Sequence, residues 1–217
     1  DSLWILYGGT RENFDQLSCE RKLFVDDPRL RTKDHQRERQ SYQGVFKILT
    51  DAIEGLAYDY LFFTEFDQIP LVEDLNDRLI ERIKEEEADA LFNRLIRVDE
   101  TSHPHFLSHA SDPAFHEFFD SFSVREDRAV LSAYGFGQFW RREALEAVLR
   151  HPDGVNGAPR IYLELWAPTV AHHLGYRLRG LSDQVPFNHF KVGPAENPLA
   201  MKELGAWLAH PYKDFWK

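Results

Sequence analysis

Apolar positions along the chain fall into short continuous runs, separated by stretches in which they recur at helical spacing. Leu3, Trp4, Ile5, Leu6 and Tyr7 form the first run and stop at Gly8-Gly9, which predicts a buried strand and a tight loop. Leu23, Phe24 and Val25, led by Lys22, form a second run that stops at Asp26-Asp27-Pro28. Tyr42, Val45, Phe46, Leu49, Ala52, Ile53 and Leu56 then recur with the period of a helix. Tyr60-Leu61-Phe62-Phe63 is apolar at every position, the pattern of a central parallel strand covered on both faces. It runs directly into Thr64-Glu65-Phe66-Asp67. Val72, Leu75, Leu79 and Ile83 make one helical stripe, and Glu81, Lys84 and Glu85 fill the solvated face opposite. A further strand is expected within 88–98. Strand, strand, helix, strand, helix, strand is an order whose crossovers favour parallel pairing.

The second half is less regular. Residues 101–110 place His103, His105 and His109 in a polar loop, and Phe115, Phe118, Phe119 and Phe122 form an aromatic helical stripe that suits the core. Residues 129–140 are strand-like, with Gly135 and Gly137 inside them. Residues 141–150 read as a helix, 151–159 as a loop and 162–174 as another helix. Residues 177–180 and 185–192 are two more strand candidates, and 201–208 a short helix. His210-Pro211-Tyr212-Lys213 follows. Without a repeat, low-complexity tract or linker to divide it, the chain 1–217 reads as a single α/β domain, a mostly parallel central sheet flanked by helices.

Composition narrows the function. The 217 residues are enough for one well-buried core, and 43% hydrophobic with 29% charged residues is ordinary for a globular domain. Net charge is −10, where a binder of phosphate backbones would carry a basic stripe, so no nucleic-acid partner is expected. The one cysteine, Cys19, excludes an internal disulfide and suits a reducing, cytoplasmic setting. With no stretch of ~18 apolar residues, no transmembrane segment is expected. Aromatics make up 14% of the chain, enough for a large core and for stacking surfaces in a cleft.

Glu65-Phe66-Asp67 carries the strongest chemical signal. Residues i and i+2 of an extended backbone point the same way, so both carboxylates project together from the end of a buried strand. Ligand sites of open parallel sheets lie at that end. Two adjacent carboxylates repel unless a cation neutralises them, and hard oxygen ligands select Mg²⁺ or Mn²⁺. A lone pair of acids at this spacing is common on solvated strand ends. Here it follows four apolar residues across Thr64 and precedes Ile69-Pro70-Leu71. In that setting the stretch from Leu61 to Pro70 resembles the metal motif of the GT-A class of glycosyltransferases, a D-x-D or variant at the end of a central strand. The resemblance extends over the strand order of the first hundred residues and returns near the C-terminus.

The resemblance implies a Rossmann-like GT-A fold and a nucleoside-diphosphate sugar as donor. It implies transfer to a hydroxyl of a carbohydrate or other acceptor, with Mn²⁺ or Mg²⁺ as cofactor. Asp67 would chelate the metal directly. Glu65, standing where Asp is commoner, would contact it or the donor ribose. Many members of the class supply a late histidine as a further ligand and a basic residue nearby, which points to His210 and to Lys213 as a phosphate contact. An imidazole among the ligands leans the metal toward manganese. By the same resemblance the loop Tyr7, Gly8, Gly9 and the acids Asp26 and Asp27 would meet the nucleotide. Gly8-Gly9 permits close backbone approach and is also an ordinary turn.

Glu164 opens a helical pattern among large apolar residues. Burial beside Trp166 would raise its pKa and suit it to take a proton from an acceptor hydroxyl, and the same acid in a first turn also answers the helix dipole. Gly135, Phe139 and Trp140 offer glycine space and aromatic faces for a sugar, or core packing. His103, His105 and His109 are too loosely spaced for a zinc site, and His172-His173 reads as helix surface. The chain has neither G-x-G-x-x-G after its first strand nor a P-loop, which argues against a dinucleotide oxidoreductase and an NTPase. A nucleotidyltransferase uses a similar sheet and acid pair but would want a Gly-rich basic loop after the first strand. A non-catalytic carbohydrate- or nucleotide-binding domain is the other alternative.

Overall fold

Strand β1 (Ile5–Tyr7) leads through helix α1 (Arg11–Gln16) to β2 (Lys22–Phe24), and the two strands pair in parallel, Ile5 with Lys22 and Tyr7 with Phe24. The small crossover is closed at both ends by side chains. Thr10 caps the start of α1, its Oγ1 accepting from the Asn13 N–H. Lys22 donates to the carbonyls of Phe14 and Leu17 at the other end, 2.8 and 2.9 Å away, where a cation meets the negative end of the helix dipole. The structure is a computed structural model and describes residues 3–31, 42–64, 68–98, 106–107, 112–121, 129–133, 137–151, 162–181, 188–189 and 198–210.

After a 3₁₀ turn (Pro28–Arg31), helix α2 (Tyr42–Ile53) precedes β3 (Tyr60–Phe63) and the short β4 (Ile69–Pro70). Helix α3 (Leu75–Glu85), β5 (Ala90–Phe92), β6 (Leu95–Arg97) and helix α4 (Pro113–Ser121) follow. Then come β7 (Leu131–Ala133), β8 (Gln138–Arg141), helix α5 (Arg142–Leu149) and helix α6 (Leu163–His173). Strands β9 (Leu178–Gly180) and β10 (Asn188–His189), helix α7 (Pro198–Glu203) and β11 (Leu208–Ala209) complete the order.

The main sheet runs β3-β8-β5-β9. Alternation along its strands divides the core in two. Ala90, Phe92 and Trp140 join Leu49 and Ile53 of α2, Leu145 and Val148 of α5, and Trp166 and Val170 of α6 on one face. Leu91 and Phe139 join Leu75, Leu79 and Ile83 of α3 on the other, together with Leu181 and Leu208. Helices therefore cover both faces, an α/β arrangement. Phe92 meets Trp140 edge-on at 5.2 Å, and Tyr60 stacks on Phe139 at 5.3 Å.

Several expectations hold and some need correction. The stripe Leu75, Leu79, Ile83 is buried as its period requires, and Phe115 and Phe118 are core residues. The main sheet is mixed where a mostly parallel one was expected: β8 runs antiparallel to both β3 and β5, while β5 and β9 are parallel. The three remaining sheets are small, β1-β2, β10-β11-β4 and β6-β7. Tyr60 to Phe63 is half-buried at the end of the described strand order, and the run buried on both faces is Ala90–Phe92. Residues 129–140 hold two strands, β7 and β8, and 88–98 also hold two. Helix α7 stops before Leu208, which lies in a strand. Gly205, at φ +86°, takes the left-handed position, and the Gly205 and Ala206 N–H groups bond back to the Lys202 and Met201 carbonyls. His173 is half-buried, and its Nε2 lies 3.0 Å from the Ala129 carbonyl.

Among the described residues no helix is long and apolar enough to cross a membrane. The residues Phe122, Gly135, His103, His105 and His109 lie outside the described ones.

Candidate functional site

Three parallel strands finish level with one another. Phe63, Gln138, Phe92 and Gly180 form one cross-strand row, so β3, β5 and β9 all end at the edge where β8 begins. Chain leaves β3 at this edge through Thr64 and returns at Gln68. Thr64 Oγ1 donates to Gln68 Oε1 at 2.5 Å, so the two residues that flank Glu65-Phe66-Asp67 are tied together. Glu65 and Asp67 lie outside the described residues.

Gln68 immediately precedes β4, and β4 pairs antiparallel with β11, Ile69 with Ala209 and Pro70 with Leu208. The Leu71 N–H, donating to the Trp207 carbonyl at 2.8 Å, continues that register on one side. One step along on the other side sets His210 opposite Gln68, the residue next to Asp67. Both are buried, His210 at 9% and Gln68 at 7% exposure. A histidine far along the chain is thus brought opposite Gln68 by strand register. Gln68 Nε2 is buried without a hydrogen-bond partner.

Glu164 sits in the first turn of α6, half-buried, two residues before the fully buried Trp166. Its neighbour Leu163 lines an apolar pocket together with Phe63, Gln138, Trp140 and Trp166, which puts the start of α6 at the end of β3. Pro168 lies inside this helix and lacks the N–H that would bond the Glu164 carbonyl, so the ladder skips that carbonyl. The helix is held by Thr169, whose hydroxyl accepts from the Leu131 N–H at 3.0 Å and donates to the Leu131 carbonyl at 3.1 Å.

The candidate nucleotide loops meet at Arg31, which the sequence did not single out. Its Nε donates to the carbonyls of Gly8 and Gly9 at 3.1 and 2.8 Å, and its terminal nitrogen reaches Asp26 at 2.9 Å. The loops after β1 and β2 are therefore clasped together. Gly9 has Tyr7 against it so closely that a Cβ would overlap the phenol ring, and a Cβ on Gly8 would strike Leu30. Asp26 and Asp27 differ in kind. Asp27 accepts from the backbone and guanidinium of Arg29 at 2.5–3.0 Å, and those bonds hold its carboxyl below the usual value. Asp26 is largely exposed beside Arg31.

Lys213 lies outside the described residues. Among the described residues no group of three or more acids, histidines or cysteines gathers as a metal site, the two acids at issue being outside that set. No family model matches this chain, and no curated protein matches it at a significant level. The reading of the site rests on its residues. Sequence reasoning passed over Gln68, Arg31 and Asn93, because a glutamine, an arginine and an asparagine at loop positions have no local signature. Asn93 follows β5 at the same sheet edge, is fully buried, and has both amide atoms without a partner.

Proposed function

We propose that the chain is a metal-dependent glycosyltransferase of GT-A type, moving a sugar from a nucleoside-diphosphate donor to an acceptor hydroxyl. The observation that carries this reading is the β4–β11 register, which sets His210 opposite the residue that follows Asp67. Two carboxylates and an imidazole are a donor set suited to Mn²⁺, with Mg²⁺ as the harder alternative. Glu65, Asp67 and His210 would hold it. When bound, such an ion neutralises charge on the departing diphosphate. The common edge of three parallel strands, with helices on both faces, supports the fold assignment.

The remaining roles belong to the chain's own groups. Gly8 and Gly9 let the backbone approach the nucleotide, and Arg31 keeps their loop against the one that carries Asp26. Asp26 accepts from the ribose or base, whereas Asp27 is committed to Arg29 and shapes the turn. Lys213 pairs with a donor phosphate as a point charge. Glu164 takes the proton of the acceptor hydroxyl as its oxygen attacks the anomeric carbon, and the carbon–oxygen bond to the diphosphate breaks. Cys19 is a free thiol, which fits a cytoplasmic setting.

Binding and chemistry separate in two variants. With nucleotide sugars and Mn²⁺, wild type shows a metal-dependent rise in melting midpoint. Asp67→Asn keeps the fold and loses that rise together with transfer, since the charge that holds the ion is gone. Glu164→Gln keeps donor binding and loses roughly 10²–10⁴-fold in turnover, the worth of a positioned general base. Undiminished Mn²⁺-dependent binding in Asp67→Asn would overturn the metal site and the glycosyltransferase reading.

A further inference from the structure

Asn93 stands one residue beyond β5, in the row that follows Phe63, Gln138, Phe92 and Gly180. Continuing the β5–β8 register sets it opposite Gly137, which presents no side chain and whose N–H donates to the Phe63 carbonyl at 3.2 Å. On the other side the Leu181 N–H donates to the Phe92 carbonyl at 2.9 Å. The backbone around Asn93 is thus paired, while its side chain is not. Exposure of the residue is 0%, and neither Oδ1 nor Nδ2 has a hydrogen-bond partner. Buried amides are almost always satisfied, and an orphaned one costs more than an apolar side chain of the same size. Leu91 and Leu181 nearby belong to an apolar cluster in which a leucine would fit the surroundings better. The fold gains nothing from an amide here.

We infer that Asn93 is a specificity-determining residue that receives two neighbouring hydroxyls of the donor sugar, an inference that rests on the glycosyltransferase reading. An amide offers one acceptor and two donor hydrogens side by side, and it carries no charge. A pair of adjacent hydroxyls, each able to donate and accept, answers both atoms at once. Position supports the sugar over the phosphates. Adjacent strands lie about 4.8 Å apart, so β5 is roughly 10 Å from β3, which leads into the acids. A group held beside Asn93 is thus separated from the end of β3 by about two strand spacings. Phosphates would call for a cation, and Asn93 supplies none. Because the side chain is fully covered in the free chain, the sugar reaches it only after a local opening, and binding of the sugar nucleotide is slower than that of the bare diphosphate.

The test uses the full chain with Mn²⁺ present. Uridine and guanosine diphosphate sugars are screened on wild type by thermal shift, and the best is paired with its own bare diphosphate in calorimetric titrations. Asn93→Leu and the smaller, polar Asn93→Ser are titrated beside wild type, and each free protein is melted. The expected result is that wild type prefers the sugar nucleotide, and that Asn93→Leu loses roughly 10- to 100-fold of affinity for it, as two neutral hydrogen bonds are worth. Affinity for the bare diphosphate stays unchanged, and free Asn93→Leu melts no lower than wild type. If Leu does not fit, Asn93→Ser shows the same selective loss. Equal loss for both ligands, or no loss for either, overturns the role of Asn93 while leaving the glycosyltransferase reading in place. If no sugar nucleotide shifts wild type, that reading fails and takes this one with it.

Discussion

Thr169 offers a quantitative test of how the helix bearing Glu164 is held. Its side chain is fully buried, and its one hydroxyl serves both backbone groups of Leu131. The geometry explains why. Val98 N–H donates to the Val130 carbonyl at 2.9 Å, so 98 and 130 are a hydrogen-bonded pair of the β6–β7 ladder. The neighbouring pair, Arg97 with Leu131, is then a non-bonded one, and the Leu131 N–H and C=O point away from β6. Thr169 stands where a further strand would stand. Thr169→Val keeps shape and volume and removes both bonds. At about 1–3 kcal/mol for each of the two buried groups left without a partner, the loss is roughly 2–6 kcal/mol. For a chain of this length that lowers the melting midpoint by roughly 4–24 °C. Thr169→Ser keeps the hydroxyl and loses one methyl, at a cost of about 0.5–1.5 kcal/mol. The order is diagnostic: the isosteric valine destabilises more than the smaller serine. Thermal and urea melts of both variants measure it. A valine variant within 2 °C of wild type, by that ~2–4 °C per kcal/mol scale, would mean that water replaces the hydroxyl and that Thr169 does not hold the helix.

Two more outcomes follow from the same kind of accounting. Tyr58 Oη is buried without a partner, and burial, aided by the Glu146 charge, pushes the phenol up to about 12. Ultraviolet titration should show one tyrosine still protonated at about pH 11, beyond the usual value, and Tyr58→Phe should melt no lower than wild type because it removes an orphaned hydroxyl. Asp27 is a carboxylate with a lowered folded pKa, chiefly through its bonds to Arg29, so its contribution to stability is complete above the unfolded value of about 3.9 and disappears as pH falls through the folded one. Arg29→Gln should therefore be less stable than wild type at neutral pH, with the gap closing in acid; a gap that persists at about pH 2, below both values, would refute the pairing.

Local pattern was enough to place most of the helices and several strands, but not α1 between β1 and β2, nor the short β4 and β11. The 3.6-residue stripe of Leu75, Leu79 and Ile83 marks a helix with one buried face, because period and burial are the same fact seen along the chain and across it. Phe115 and Phe118, the helix that carries Glu164, and the strand that leads into Glu65 were legible for the same reason. The run Tyr60 to Phe63 was legible as a strand but not as the end of the strand order, since an apolar run does not say which strands lie beside it. That β8 lies antiparallel between β3 and β5 is a property of pairing between residues far apart in the chain. The same holds for the meeting of His210 with Gln68 through β4 and β11. Asn93 and Arg31 carry no pattern at all; one is marked by lacking a partner inside a closed core, the other by reaching across 22 and 23 residues to two carbonyls. Side-chain spacing encodes which face of an element is buried. Which elements become neighbours, in what direction and at what register, is decided only when the faces close on one another, and the candidate site is built from those choices.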